Sequence, residues 1–494
     1  MVENELKFEL PAGAVRAVEA SLRRLGARRA AIESRYVDGD DGRLAAAGVS
    51  LRLRKRAGRW EQTVKAPGPS AFERLEETVA RLGRWGPDGP QADPSLHAGT
   101  HAGRVLAEAL RGEGGGTAPL VPVSTTRVRR SSVVLDVGDA RVELAFDRGT
   151  VVAGDRVEAI CEVEYELLSG DPLALVALAR AAVVAHGMWL STLSKGARGA
   201  ALARHTGRVE ATHARRPVLR KTMSASALRR EIVAACLEQV CANASVLARG
   251  QSDDEVIHQL RIGLRRLRTA ARELAAAEAS PAAWEGVVTE IFRALGDCRD
   301  RTIVATALGR TLAEAGSPEP RLQPSGGESP DPVALVRAAA FQLALIDVVA
   351  EVIVVPASAS ADAHDAHGEI AIRLSKLHTS LAKAAKRFGA VDDAERHRVR
   401  KRLKRLRYLA EMVGPLYGSG AVDRYLARLR PAQDALGAYV DLIVGLELAA
   451  ASVTAGDAGA WFNVGWLKAQ LPRAAKRCRK ALAQAATAKP FWRR

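Results

Sequence analysis

The chain has 494 residues, 48% of them hydrophobic and 26% charged, with a net charge of +17. That length exceeds one ordinary core and sets an expectation of several domains. The composition is that of a globular protein, and no uninterrupted apolar run reaches the roughly 18 residues that span a bilayer. Acidic and basic residues fall within the first seven positions, where a signal-peptide core is not expected. Five cysteines with no C-x-x-C pair argue for reduced thiols and a cytoplasmic location. Residues 1–215 carry a balance of +4 and residues 216–494 one of +13, so the C-terminal half is the one expected to seek polyanions.

In chain order, residues 3–168 read mainly as strands, at 3–10, 49–57, 60–66, 73–80, 121–136, 140–147 and 156–168. Helices are expected at 11–26, where Val15, Val18, Leu22 and Leu25 share a face and Gly26 stops it, near 102–111, and at 171–186 behind Asp171-Pro172. Residues 205–222 lack apolar periodicity and read as a linker. From 224 on the text is helical, in stretches at 224–249, 253–277, 282–313, 332–354, 366–387, 393–416, 421–453 and 459–486. Two breaks interrupt them, 315–332 with five prolines and three glycines, and the small, polar 355–363.

In the strand half, charges recur at spacing two: Glu3/Glu5/Lys7, Arg52/Arg54/Arg56, Arg74/Glu76, Arg127/Arg129, Glu143 with Asp147, and Glu162/Glu164/Glu166. Alternation in a strand puts each set on one face, with apolar residues such as Leu6, Phe8, Leu51, Leu53 and Val163 on the other. A filled core cannot hold so many ions. A closed sheet with a polar interior and helices outside can. Lys7, Arg52, Arg54, Lys65, Arg127 and Arg129 would hold phosphate oxygens, joined by Lys195 if it reaches the opening. Glu3, Glu5, Glu162 and Glu164, with Asp147, would hold Mg2+ or Mn2+, hard cations that favour carboxylates.

These residues resemble the CYTH family, the triphosphate tunnel metalloenzymes. The likeness rests on Glu3-x-Glu5-x-Lys7, Tyr36-Val37-Asp38, Leu-Arg-Leu-Arg at 51–54, Thr63-x-Lys65, Arg74-x-Glu76, the late E-x-E-x-E-L at 162–167, and Ser194-Lys195. Gly39 departs from the Thr that often follows the Asp. The resemblance covers about residues 1–205. It implies an eight-stranded antiparallel β-tunnel and metal-dependent hydrolysis of triphosphate groups, with Glu5, Lys7 and Glu164 as the catalytic residues.

The helical half contains a repeat. His258, Arg261, Arg265, Arg266 and Arg268 are echoed by His397, Arg400, Lys404, Arg405 and Arg407, in both cases as H-x-x-R-x-x-x-[RK]-R-x-R, with starts 139 residues apart. On a helix the first, fourth, eighth and eleventh positions form one cationic ridge, with an apolar stripe opposite: Ile257, Leu260, Leu264 and Leu267, then Val399, Leu403, Leu406 and Met412. This pattern resembles the CHAD domain, named for its histidines on α-helices, over about residues 224–490, and Arg299-Asp300 and Gln433-Asp434 add to the likeness. The resemblance implies a helical bundle of two pseudo-repeated halves, about 224–314 and 332–490, that binds inorganic polyphosphate.

The expectation is therefore an α+β chain: a tunnel domain over 1–205, a linker over 206–223 and a helical domain over 224–490. The expected activity is hydrolysis of inorganic triphosphate, in the cytoplasm or on polyphosphate granules, with no membrane and no inferable protein partner. The alternatives are a non-catalytic polyphosphate-binding scaffold and a hydrolase of an organic triphosphate such as thiamine triphosphate or ATP. Nucleic acid is disfavoured, because aromatics make up only 4% of the chain and no stacking platform is evident.

Overall fold

A computed structural model of the chain describes residues 2–68, 73–83, 85–86, 89–111, 119–204, 207–275, 282–320, 322, 330–354, 366–453 and 457–493. The break expected at 355–363 lies outside them. The strands are β1 (Val2–Glu9), β2 (Arg28–Gly39), β3 (Ser50–Arg56), β4 (Arg59–Pro67), β5 (Glu73–Arg81), β6 (Leu120–Val137), β7 (Ala140–Ala153), β8 (Arg156–Ser169) and β9 (Trp189–Leu190). The helices are α1 (Val15–Arg24), α2 (Arg43–Ala46), α3 (His101–Leu110), α4 (Leu173–His186), α5 (Lys195–Ala203), α6 (Ala225–Ala248), α7 (Asp254–Glu273), α8 (Trp284–Glu314), α9 (Pro332–Arg337), α10 (Ala339–Ile353), α11 (Ala366–Arg387), α12 (Asp393–Val413), α13 (Ser419–Ala451) and α14 (Ala458–Ala486).

The chain divides into two compact units. One comprises residues 1–213, 237–260 and 336–354, the other 214–236, 261–335 and 355–494. The first unit is built on one antiparallel sheet in the order β5-β4-β3-β2-β6-β7-β8-β1-β9. Its ring is closed by β1, whose Val2–Asn4 pair with β5 while Glu5–Glu9 pair with β8. Eight strands thus form the barrel. The ninth, against the eight expected, is a two-residue strand on the free side of β1 at Phe8 and Glu9.

Alternation sets the two faces of the barrel wall. Outward residues are apolar and covered by helices: α3 and α2 pack Leu106, Leu110 and Leu44 on Val37, Leu51 and Val64, and α4 packs on β1, β7 and β8. Leu6 and Phe8 are 1% and 0% exposed, and the Phe8 ring meets Tyr165 edge-on. The strand β2 was not expected from the sequence, since its RRAAIESRYVDG mixes small, charged and apolar residues too evenly to show a period. Asp38 at its end accepts from the backbone N–H groups of Gly39, Leu44 and Ala45 at 2.7, 2.7 and 2.9 Å, which fixes the turn into α2.

Helix α5 enters the barrel. Its Leu202 packs among the inward residues Ile32, Val128, Val151, Ala153 and Ile160. Two glycines permit the approach: a Cβ on Gly196 would lie 3.0 Å from the Tyr36 ring, and one on Gly199 only 2.0 Å from Ser124 Oγ.

In the second unit, α11 to α14 pack as a bundle, with α13 also against α8. On α7 and α12 the expected apolar stripe is buried: Leu260, Leu264, Leu267, Leu403 and Leu406 are all 0% exposed. By length and composition alone α6 could cross a bilayer, but 83% of its apolar window is buried inside the protein.

Candidate functional site in the barrel lumen

The inward positions of neighbouring strands converge on a cavity of about 100 Å3 lined by Glu5, Lys7, Tyr36, Ser50, Arg52, Lys65, Arg74, Glu162, Glu164, Ser191, Thr192, Ser194, Lys195 and Gly196. Strand register explains the grouping, because Lys7 lies opposite Glu164 and Asp147 opposite Glu162.

Asp147, Glu162 and Glu164 form the acidic centre. Their carboxylate oxygens lie within 4.8 Å of one another, and Asp147 and Glu162 are 1% and 0% exposed. Two cations hold them together. Arg130 donates from Nε to Asp147 Oδ1 at 2.8 Å and from Nη2 to Oδ2 at 2.7 Å, and Nη2 also pairs with Glu164. Lys195 Nζ lies 2.8 Å from Asp147 Oδ2 and 2.7 Å from Glu164 Oε1, and pairs with Glu162 as well. Its position follows from the N-cap of α5, where Ser194 Oγ accepts from Ala197 N.

Burial disfavours the charge on all of these groups, and their partners decide the outcome. Lys195 is held well above the usual lysine value by Glu162, Glu164 and Asp147. Glu164 is held well below the carboxylate range by Lys195 and Arg130, and Asp147 is lowered by the same pair. Lys7, by contrast, is lowered, since burial outweighs Glu162. Glu166 is raised by burial and by Glu5, the mark of an acid crowded among like charges.

A basic wall lies across the lumen. Lys65 pairs with Glu76 at 2.6 Å and Arg52 with the same carboxylate at 3.4 Å. Arg54 faces inward near Glu61 at 3.6 Å, and burial together with Arg52 pushes its guanidinium down to about 10.

Of the residues expected to hold phosphate or metal, Lys7, Arg52, Arg54, Lys65, Lys195, Glu5, Asp147, Glu162 and Glu164 meet in or around this lumen. Glu3 lies on β1 opposite Arg74, with its side chain outside the described residues. Arg127 and Arg129 do not join the set. Arg127 is 72% exposed on the outer face, 3.8 Å from Glu33, and Arg129 is exposed beside it. The inward residue of that strand is Arg130. It was missed because its inward neighbours Ser124, Thr126 and Val128 give it no charged partner at spacing two. Arg198 and Glu9 were also missed; Glu9 could have been found as the next odd position after Lys7.

The acidic centre suits a divalent cation. It offers only hard oxygen donors from three strand positions, with a second layer of cations fixing each carboxylate.

In the helical unit, Arg261, Arg265 and Arg268 of α7 surround the ring of Phe292 on α8, with guanidinium carbons 5.4, 4.8 and 5.5 Å from its centroid. The sequence reading missed Phe292. Arg266 turns away from this group and reaches the Arg215 carbonyl at 3.4 Å. His258 is half-buried on α7, as are His397, Arg400 and Lys404 on α12. Arg405 pairs with Glu273 at the end of α7. Arg407 donates to Glu411 at 2.6 Å and to Gln433 at 2.5 Å. The side chains of Arg299 and Asp300 lie outside the described residues.

Fold and site together define a closed β-barrel whose lumen is lined by charged side chains, followed by an α-helical region that carries a repeated motif. Family matching agrees: the CYTH domain matches residues 1–200 and the CHAD domain residues 231–450. The chain carries a CYTH domain followed by a CHAD domain. The inorganic triphosphatase of Haemophilus influenzae is 30% identical to it over 80 residues, 16% of this chain and 23% of that protein; the chain thus matches under a quarter of that relative's length. Among solved structures, the CHAD domain from the plant Ricinus communis is 25% identical, covering 55% of this chain and 96% of that one, with a TM-score of 0.42. An adenylyl-cyclase-named protein from Hippeastrum, described as having a dominant triphosphatase activity, is 20% identical over 40% of this chain and 94% of that one, with a TM-score of 0.29.

Proposed function

We propose that the protein hydrolyses inorganic triphosphate in the barrel lumen with Mg2+ or Mn2+, and that its helical domain binds inorganic polyphosphate. The observation that carries this reading is the opposition of two sets in one cavity, the carboxylates Asp147, Glu162 and Glu164 with Glu5 on one side and the cations Arg52, Arg54 and Lys65 on the other. A bound divalent cation supplies charge neutralisation at the phosphate oxygens and a more acidic water.

The chain's own residues do the rest. Arg52, Arg54, Lys65 and Lys7 bind non-bridging oxygens and orient the phosphate chain, and Arg130 fixes Asp147 and Glu164 in place. Lys195 shares the three carboxylates and balances their charge when no cation is bound. Inactivity of purified protein toward tripolyphosphate with Mg2+ or Mn2+, or full rate in Glu5→Gln, would refute the hydrolytic reading; tight polyphosphate binding without turnover would point to a scaffold. Competing thiamine triphosphate or ATP at equal concentration tests the choice of substrate.

The Phe292 group on α7 and α8 supports the polyphosphate reading, since it gathers the positive charge of three guanidiniums around one ring. Part of the second motif has another use, since Arg405 is engaged by Glu273. We assign the protein to the cytoplasm or to polyphosphate granules, with working domain limits of 1–205 and 224–490.

A further inference from the structure

The first compact unit does not end where the strands end. It takes in residues 237–260 and 336–354, and these segments touch the part of the barrel that delivers Lys195. The backbone N–H of Leu190 in β9 donates to Gln342 Oε1 at 2.7 Å. Thr192 N donates to Ser245 Oγ at 3.0 Å. The Arg337 guanidinium lies 4.1 Å from the Trp189 ring centroid and donates from Nε to the Ala248 carbonyl at 2.7 Å. The short strand before α5 is thus gripped by side chains from α6, α9 and α10.

From the turn after α6, Arg249 reaches the lumen itself. Its Nη1 donates to both carboxylate oxygens of Glu9, at 2.8 and 2.9 Å, and its Nη2 pairs with Glu158. Glu9 and Glu158 are inward residues of β1 and β8, in phase with Glu5 and Glu162. Glu158 Oε1 also accepts from Arg198 Nε at 2.7 Å. Arg198, 2% exposed on α5, then places Nη1 3.3 Å from Oε2 of Glu162. Five alternating charges therefore run Glu9, Arg249, Glu158, Arg198, Glu162 without a gap. Their far end is a member of the acidic centre. Ser191 Oγ, 3.1 Å from Glu9 Oε1, ties the near end to the same gripped strand.

We infer that Arg249 is a positioning residue for the metal-binding carboxylate Glu162, acting through Glu158 and Arg198, an inference that rests on the metal-dependent reading proposed above. Arg249 neutralises Glu9 and holds Glu158 where it orients Arg198. Arg198 in turn holds Glu162 Oε2, while Oε1 pairs with Lys195, the ammonium that Asp147 and Glu164 also share. Without Arg249, Glu9 and Glu158 compete for the one guanidinium left in the run. Arg198, whose contact to Glu162 is its longer one, is drawn off, and Glu162 loses its fixed orientation. The residue lies outside residues 1–200, so the metal site depends on a side chain beyond the sequence matched to the CYTH family.

The test is Mn2+ binding to the full chain, followed without substrate by electron paramagnetic resonance of the free ion. Arg249→Ala should weaken Mn2+ binding by about tenfold, the lower end for partners that orient ligands. Arg249→Lys keeps the charge but lacks the fork that spans Glu9 and Glu158, and should recover only part of the loss. Arg180→Ala is the control. It breaks the exposed pair with Asp347, which joins α4 to α10 in the same unit without touching the run, and should leave Mn2+ affinity unchanged. Thermal unfolding of each variant separates loss of positioning from loss of fold. A folded Arg249→Ala protein with wild-type Mn2+ affinity overturns the inference alone. Absence of Mn2+ binding in the wild type overturns the metal-dependent reading and the inference with it. Equal weakening in Arg180→Ala reduces Arg249 to a structural role and also overturns the inference.

Discussion

Lys195 and Glu164 are joined at 2.7 Å across the lumen, the first residue of α5 against an inward residue of β8. The ammonium stands among the same oxygens that a divalent cation would need, because Asp147 and Glu162 share it. It is an internal counter-ion, and a metal must compete with it. Lys195→Met should therefore tighten Mn2+ binding, by about tenfold if one ion pair's worth of competition, about 1.4 kcal/mol, is removed. Titration with Mn2+ reads this directly, and weaker or unchanged binding would contradict the arrangement.

The inner and outer faces of the barrel make separable predictions for substrate. Arg54→Ala should raise KM for tripolyphosphate by roughly ten- to a hundredfold, for the loss of a charge-assisted hydrogen bond of about 1.5–3 kcal/mol. Arg127→Ala and Arg129→Ala, on the solvent side, should stay within about twofold. Steady-state kinetics of the three variants decides this, and a large effect at Arg127 would mean that the outer face takes part.

Two lysines in one cavity are moved in opposite directions. Lys7 is lowered, so as pH rises it loses its proton before an ordinary lysine at 10.5 does, and phosphate binding should weaken while the pH is still below that value. Lys195 is raised, so its ion pairs contribute stability that is fully present below 10.5 and is lost only as pH climbs through its higher folded value. KM should therefore rise on the alkaline side before unfolding begins, and a pH series comparing KM with circular dichroism tests the order. On the acid side, Asp147 and Glu164 are lowered. Their contribution is present above the ordinary values of 3.8 and 4.5 and is lost as pH falls through lower folded values.

The two basic motifs of the helical unit should respond differently. Arg265→Ala and Arg268→Ala remove cations gathered over Phe292 and should weaken polyphosphate binding several-fold, with a smaller salt dependence. Arg405→Ala breaks the pair with Glu273 and should act chiefly on stability. The cost is about 2 kcal/mol, below the roughly 3–5 kcal/mol of a fully buried pair because Arg405 is 28% exposed. Gel retention of labelled polyphosphate and urea unfolding separate the two effects.

The sequence showed the barrel through its alternation, because a strand with Glu3, Glu5 and Lys7 on one face and Leu6 and Phe8 on the other leaves little choice of environment. It also showed the acids of β8 and the basic pair Arg52 and Arg54. It misled at Arg127 and Arg129, where alternation says which residues share a face but not which face is inside. Arg130, flanked inward by a valine and two hydroxyl residues, carries no periodic signal of its own. Arg198 and Arg249 were invisible for another reason. Both lie in helical text far from their partners, 36 and 91 residues from Glu162 and Glu158 respectively, and only the packing of helices on the barrel brings them near. The apolar stripes of α7 and α12 were legible from helical spacing, whereas Phe292 became meaningful only once α8 lay beside α7.

Gly196 and Gly199 let α5 lay Leu202 against Ile32, Val128, Val151, Ala153 and Ile160, so part of the barrel interior is taken up by the chain itself. On the hydrolytic reading proposed above, the cavity of about 100 Å3 that remains favours a short chain end over a threaded polymer.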